Sequence, residues 1–404
     1  MQEKSTENQG RLKHGQETIS SRKILILATS YLPLIGGAEL SIKYLTEHLP
    51  EFSFDLITAR TNPNLSATEK IGNVSVFRVG NSYSLFDLFL PKNFLPLAIF
   101  FKARKMLSLD RYDMVYVLQA SQAAGAGWLL KISGSLNQPL VVNLQEGKDF
   151  SKQSFFVRLF RKFIFSSADY FTVISSYLRD FLVSQGVSKD KIFYLPNGVD
   201  FSISPADNNL RNTLSLGDEK VIITVSRLVE KNGLSDLIRA MLFVKSNFMG
   251  KVKLLIVGDA EPKLSLEPEL KKLTTELGLD SEVIFVGAID NKEVSRYLAL
   301  ADVFVRPSLS EGLGVSFLEA MAVGVPVVGT KVGGIPDFIT DGETGLFCLV
   351  GDSQDIGRKI VEVISNKELS DKMSKAGQEM VRNKYDWNII AENFRNIHES
   401  VTKN

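Results

Sequence analysis

From Lys23 onward the chain alternates short, β-branched-rich apolar runs with longer stretches whose apolar positions recur at helical spacing. The first run, KILILAT at 23–29, is apolar from Ile24 to Ala28, as a strand covered on both faces requires. Similar runs predict strands at 54–58, 74–79, 114–118, 140–144, 170–174 and 192–195, most of them separated by helical stretches such as 38–49 and 176–185. That alternation predicts a mostly parallel sheet wrapped by helices. After a polar, irregular stretch at 202–218 the pattern restarts. Strands are expected at 221–225, 254–257, 283–286, 303–305 and 325–329, then helices at 353–365, 367–383 and 387–401. Two successive α/β halves with a cleft between them are the economical reading, and no short solenoid-type repeat competes with it. The expected organisation is a polar, disordered leader at 1–21, a first domain at 22–199, a second domain at 200–383 and a final helix at 384–404 crossing back to the first domain.

Composition narrows the chemistry. A length of 404 residues exceeds what one core usually supports, roughly 250–300. The net charge of +1 gives no global reason to expect a nucleic-acid partner. The single cysteine, Cys348, excludes an intramolecular disulfide and a cysteine-based zinc site. The histidines His14, His48 and His398 are far apart, and no Asp-x-Asp pair occurs, so no metal site is predicted. The leader lacks the apolar core of a signal peptide. The greasiest region, 85–101, is broken by Asp87, Pro91, Lys92, Asn93 and Pro96, short of the ~18 apolar residues of a membrane span. A cytoplasmic protein is expected, at most peripheral on the inner membrane face.

Three motifs follow predicted strands, where open parallel sheets bind their ligands. In SEGLGVSFLEAMAVGVPVVGT, 310–330, a loop carries Glu311, Gly312, Leu313 and Gly314, and a helix begins near Val315 with Glu319 one turn in. Free N–H groups at that helix start suit a phosphate, and two carboxylates at different depths suit sugar or ribose hydroxyls. The same spacing fits an exposed acidic loop before an incidental helical Glu. In SRLVEKNG, 226–233, Arg227 and Lys231 stand four apart and could meet one diphosphate, or be two surface cations. In YLPLIGGAELS, 31–41, Gly36 and Gly37 open a helix; the stretch lacks both the G-x-G-x-x-G and the P-loop pattern, which argues against NAD and ATP.

These motifs, in this order, together with LPNGVD at 195–200, KVGGIPDFITDGETGLF at 331–347 and YDW at 385–387, resemble the family-4 retaining glycosyltransferases of the GT-B fold over about 23–387. The resemblance implies two facing Rossmann-like domains, a nucleotide-diphosphate sugar as co-substrate, and a glycan or lipid-linked acceptor, in surface polysaccharide or envelope glycoconjugate synthesis. It implies no cofactor and no required metal. Arg227 and Lys231 would neutralise the diphosphate, Glu311 address the sugar, Glu319 hold the ribose, and Gly36, Gly37, Gly314 and Val315 complete the phosphate side. Backbone at Val286, Gly287 and Ala288 would meet the base. The chain departs from many relatives in one respect. A His is common in the loop after the strand at 140–144, and here Gln145 stands in its place. Gln is no general base, but it can orient a hydroxyl. The resemblance therefore implies an active enzyme with Gln145 positioning substrate, against a weakened or non-catalytic sugar-nucleotide binder or an epimerase of the same architecture.

One further segment, SFFVRLFRKFIF at 154–165, mixes aromatics with cations. On a helix Phe156, Leu159, Phe160 and Phe163 form an apolar stripe with Arg158, Arg161 and Lys162 largely opposite. That pattern fits an anionic membrane surface, and equally a domain helix packing its Phe stripe on the sheet. The region 85–105 is also Phe-rich and basic-ended.

Overall fold

A computed structural model describes residues 22–34, 36–80, 91–147, 154–201, 208–260 and 264–403, without the side chains of 91–93, 156 and 208. The predicted leader thus lies outside the described residues. The first sheet has eight strands in the order β3-β4-β2-β1-β5-β6-β7-β8. They are β1 (Arg22–Leu27), β2 (Phe52–Ala59), β3 (Thr68–Ile71), β4 (Val74–Val79), β5 (Met114–Leu118), β6 (Leu140–Leu144), β7 (Tyr170–Val173) and β8 (Ile192–Tyr194). All neighbours are parallel except β3 with β4. The second sheet is all parallel, in the order β11-β10-β9-β12-β13-β14. Its strands are β9 (Lys220–Val225), β10 (Val252–Val257), β11 (Val283–Gly287), β12 (Val303–Arg306), β13 (Val327–Thr330) and β14 (Leu346–Cys348). β5 and β6 are buried along their whole length, which is why they read as unbroken apolar runs.

The helices are α1 (Gly37–Glu47), α2 (Pro91–Leu109), α3 (Gln122–Ile132), α4 (Phe155–Ser167), α5 (Ser176–Ser184) and α6 (Asn208–Thr213), then α7 (Leu234–Asn247), α8 (Glu267–Glu276), α9 (Val294–Leu298) and α10 (Val315–Ala322). The chain ends with α11 (Ser353–Ser365), α12 (Lys367–Lys384) and α13 (Trp387–Thr402). Helices α2 to α5 pack on one face of the first sheet, with Ile99, Ala126, Ile164 and Leu178 in one core with β5 and β6. On the opposite face, Ile42 and Leu45 of α1 share a core with Trp387, Ile390, Phe394 and Val401 of α13. The chain therefore returns to the first domain after completing the second.

That return has a visible cause. Val199 donates its N–H to the Tyr385 carbonyl at 2.8 Å, and Asp386 caps α13 through the Asn388 N–H. A Cβ at Gly198 would lie 2.5 Å from the Trp387 ring, so only glycine admits the indole there. LPNGVD and YDW are the two sides of one joint between the domains.

Candidate functional site

β12 ends on Arg306, buried beneath the loop that leads into α10. The guanidinium donates to Ser308 Oγ at 3.2 Å, Ser316 Oγ at 2.7 Å and Glu311 Oε2 at 2.6 Å, and its carbon lies 4.8 Å from the Phe317 ring centre. It fixes the loop and hence the Glu311 carboxylate. Glu311 Oε1 accepts the Gly312 N–H at 2.9 Å and stands 3.9 Å from Lys231 Nζ. Burial would raise this carboxyl, yet Arg306 and Lys231 together hold it below the usual glutamate range. Lys231 is pushed down, chiefly by burial; Glu311 opposes that, and Arg306 and Arg227 add to it. The Arg227 side chain is exposed and makes no hydrogen bond or ion pair among the described residues. Three cations thus converge where one carboxylate balances only part of the charge.

The Glu319 carboxylate, on α10, makes no hydrogen bond or ion pair among the described residues and faces an open cleft of about 430 Å³. Burial raises its carboxyl to about 7, with Arg306 opposing. Across the cleft stand Gly37 and Tyr44 of α1, with Asn197, Trp387 and Asn291 around the rim and Val315 beside Glu319. A Cβ at Gly37 would meet nothing within 4 Å, so α1 begins at open space. Gly314 precedes α10 with φ of 102°, a left-handed conformation that turns the loop into the helix. Leu313 is buried in the core, so only its backbone is available to a ligand. The structure brings Gly37, Val315 and Glu319 to one cleft, and Lys231 and Glu311 together beside Arg306. Val286, Gly287 and Ala288 lie at the carboxyl end of the edge strand β11 and do not line that cleft.

Gln145 lies just past the end of β6, beside a narrow recess also lined by Ser41, Tyr116 and Asn143. Its Nε2 donates to Ser41 Oγ at 2.8 Å and its Oε1 accepts from Asn197 Nδ2 at 3.4 Å. These bonds hold the amide between α1 and the inter-domain joint. The neighbouring Glu146 accepts from the N–H groups of Ala120 (2.8 Å) and Gln145 (3.1 Å), with Arg161 at 3.8 Å. Burial raises its carboxyl, with Arg161 opposing. Gly147 follows against the second domain: its carbonyl accepts from Ser310 Oγ at 2.6 Å, and a Cβ there would stand 2.8 Å from the Gly312 nitrogen. Asn291 donates to the Tyr44 hydroxyl at 3.1 Å, a further bond across the cleft.

Two functional residues escaped the motif reading. Arg306 looked like the polar end of an apolar strand; its signal was a cation followed at short range by Ser308, Glu311 and Ser316. Glu146 carried none, because its partner Arg161 comes from another element. The structure also corrects the grouping on α4. Arg161 does not join Arg158 and Lys162 on an outward basic face; it is buried with Ile164 and Phe165 on the side toward the sheet and paired with Glu146. Arg158 and Lys162 are exposed, beside Phe160 and Phe163, and the Phe156 side chain is outside the described ones. Among the described residues no group of His, Cys, Asp and Glu is placed to hold a metal ion, and no helix is long and apolar enough to cross a membrane.

Two α/β domains facing one cleft, joined by a helix that crosses back to the first domain, define a two-domain transferase architecture of the GT-B type. Comparison with known proteins places the chain within it. The Glycosyltransferase Family 4 model matches residues 35–202, and the Glycosyl transferases group 1 model matches residues 206–380. The chain belongs to the family-4 glycosyltransferases. It is 33% identical over 237 residues to a GDP-mannose-dependent alpha-(1-6)-phosphatidylinositol monomannoside mannosyltransferase of Mycobacterium tuberculosis, covering 55% of this chain and 60% of that protein. The matched region thus spans under two thirds of that relative. Sucrose-phosphate synthase from Thermosynechococcus elongatus shares the fold with a TM-score of 0.80 at 22% identity, covering 95% of this chain and 99% of that one. Anabaena HepE, solved with UDP and glucose, does so with a TM-score of 0.76 at 22% identity, covering 94% and 100%.

Proposed function

We propose that this protein is a retaining glycosyltransferase. It moves a hexose from a UDP- or GDP-sugar to a glycan or lipid-linked acceptor in surface polysaccharide or envelope glycoconjugate synthesis. The observation that carries the reading is the excess of positive charge at Arg227, Lys231 and Arg306 around Glu311, beside the start of α10. A nucleoside diphosphate supplies the missing negative charge. As the bond from the sugar to the diphosphate breaks, charge builds on the leaving oxygen, and preplaced cations and helix N–H groups stabilise it without reorganising. Arg227 and Lys231 meet the two phosphates, with the Gly36–Gly37 turn opposite, so no metal is required. Glu311, braced by Arg306, takes sugar hydroxyls; Glu319 takes the ribose; Val286 to Ala288 take the base. The departing phosphate oxygen accepts the acceptor's proton as the new bond forms on the same face, which needs no histidine. Gln145 orients the acceptor or sugar.

The names of similar proteins support this choice of substrates: one relative uses GDP-mannose and a phosphatidylinositol-linked acceptor, and one structural neighbour was solved with UDP and glucose. The test is nucleotide release and product formation across a panel of UDP- and GDP-sugars, with and without EDTA, the anomeric configuration being read by NMR. Transfer with retention in EDTA is expected. Absence of both transfer and donor hydrolysis across the panel would leave a sugar-nucleotide binder, and activity that needs added Mg²⁺ would overturn the side-chain role.

A further inference from the structure

We propose that the outward face of α2 and α4 docks on an anionic lipid bilayer. On α4, Phe155, Leu159 and Phe163 recur every fourth residue and so line one exposed side, with Arg158 and Lys162 beside them. On α2, Phe94, Leu97 and Phe101 recur at three- and four-residue spacing on the exposed side, and Arg104 and Lys105 continue that side toward the helix end. Phe101 and Phe155 are 62% and 66% exposed, far beyond what phenylalanines belonging to a finished core retain.

The inner side of α4 is already seated. Ile164, Phe165 and Arg161 are buried, and Trp128 of α3 packs against Phe160 and Phe163 with ring centres 6.4 and 5.9 Å away. Phe160 of α4 and Pro96 of α2 both fill the space that a Cβ at Gly125 of α3 would take, so the three helices meet in one layer over the sheet. Phe163 rests on Trp128 and Phe101 on Phe100, with ring centres 5.9 and 5.1 Å apart, yet 45% and 62% of their surfaces stay open to solvent.

Charge selects the occupant. The sequences of α2, α3 and α4 contain no Asp or Glu, although the whole chain carries only +1. A second copy seated symmetrically would set these cations against themselves. Acidic headgroups would receive them, while the phenylalanines enter the acyl boundary. The docked helix also reaches the cleft, because Arg161 on its inner side pairs with Glu146, between Gln145 and Gly147.

The proposal is independent of sugar transfer, since vesicle binding is measured without donor or acceptor. The full chain is sedimented with phosphatidylcholine vesicles and with vesicles containing roughly one third phosphatidylglycerol. Binding to the second and not the first is expected, weakened by salt. Arg158→Gln with Lys162→Gln should weaken it about 25-fold, each surface cation carrying about a fivefold factor. Phe101→Ser with Phe155→Ser should weaken it more than about tenfold, through the apolar surface it removes from the exposed face. Equal binding to both vesicles, none to the anionic ones, or full binding by either double variant would overturn the proposal. So would a lipid-free dimer that Phe101→Ser with Phe155→Ser dissolves.

Discussion

Glu319→Gln should stabilise the ligand-free protein at alkaline pH while weakening nucleotide binding. The carboxyl ordinarily ionises near 4.5 and is raised by burial to about 7 in the fold. A folded pKa above the unfolded one means that stability is fully present below 4.5 and is lost as pH rises toward 7. The whole difference corresponds to about 3 kcal/mol, and water in the cleft reduces it to about 2. Glutamine has the same shape and no charge, so the variant escapes this loss. Against wild type it should gain about 2 kcal/mol at pH 8, roughly 5 °C in Tm, and almost nothing at pH 4. Paired melts of the two proteins across that range, without nucleotide, give the profile. The same substitution removes a charge-assisted acceptor from the ribose, for about tenfold weaker UDP or GDP binding at pH 8 by calorimetry. A Glu319 that serves only the fold would lose stability at every pH. That result, or a gain of equal size at pH 4 and pH 8, would refute the reasoning.

Other substitutions separate the parts of the site. Arg306→Ala strands the buried Glu311 carboxylate and should cost about 3 kcal/mol in chemical denaturation, with a loss under about 0.5 counting against its bracing role. Gly147→Ala puts a methyl 2.8 Å from the Gly312 nitrogen, where the domains meet. Turnover should fall more than about tenfold with little change in melting, and unaltered turnover would show that this contact is dispensable. Gln145→Ala should lower transfer about tenfold while leaving nucleotide affinity within about twofold, a split read from kcat and a binding isotherm. Equal losses in both would move Gln145 from the acceptor to the donor or to the fold.

The central strands were legible because burial on both faces leaves an apolar run, and β5 and β6 have the boundaries their runs predict; β4, buried at alternate residues, keeps its boundaries through that alternation. The edges were not. β3 reads Thr-Glu-Lys-Ile and pairs on one side only, and β14 is three residues long, so neither carries a periodic signal. α2 was hidden by Pro91, which opens the helix where proline costs least, and by Pro96, which stands inside it and forfeits a backbone hydrogen bond. On α4 phenylalanines occur nearly all round, so periodicity could not tell which side meets the sheet; Arg161 went inward because Glu146 waits there. The three motifs at 31–41, 226–233 and 310–330 were readable because each follows a strand end. Arg306 was not, since a strand's last cation looks the same whether it meets water or braces a loop.

The central claim, that Arg227 and Lys231 grip a nucleoside diphosphate, is most directly tested by thermal shift with UDP and GDP on wild type and Arg227→Ala. The Arg227 side chain is exposed and makes no hydrogen bond or ion pair to the described residues, so its truncation should leave the ligand-free Tm unchanged. The account predicts that one of the two diphosphates raises the wild-type Tm and that Arg227→Ala abolishes the rise. A variant that melts normally and still responds in full to the same nucleotide would contradict it.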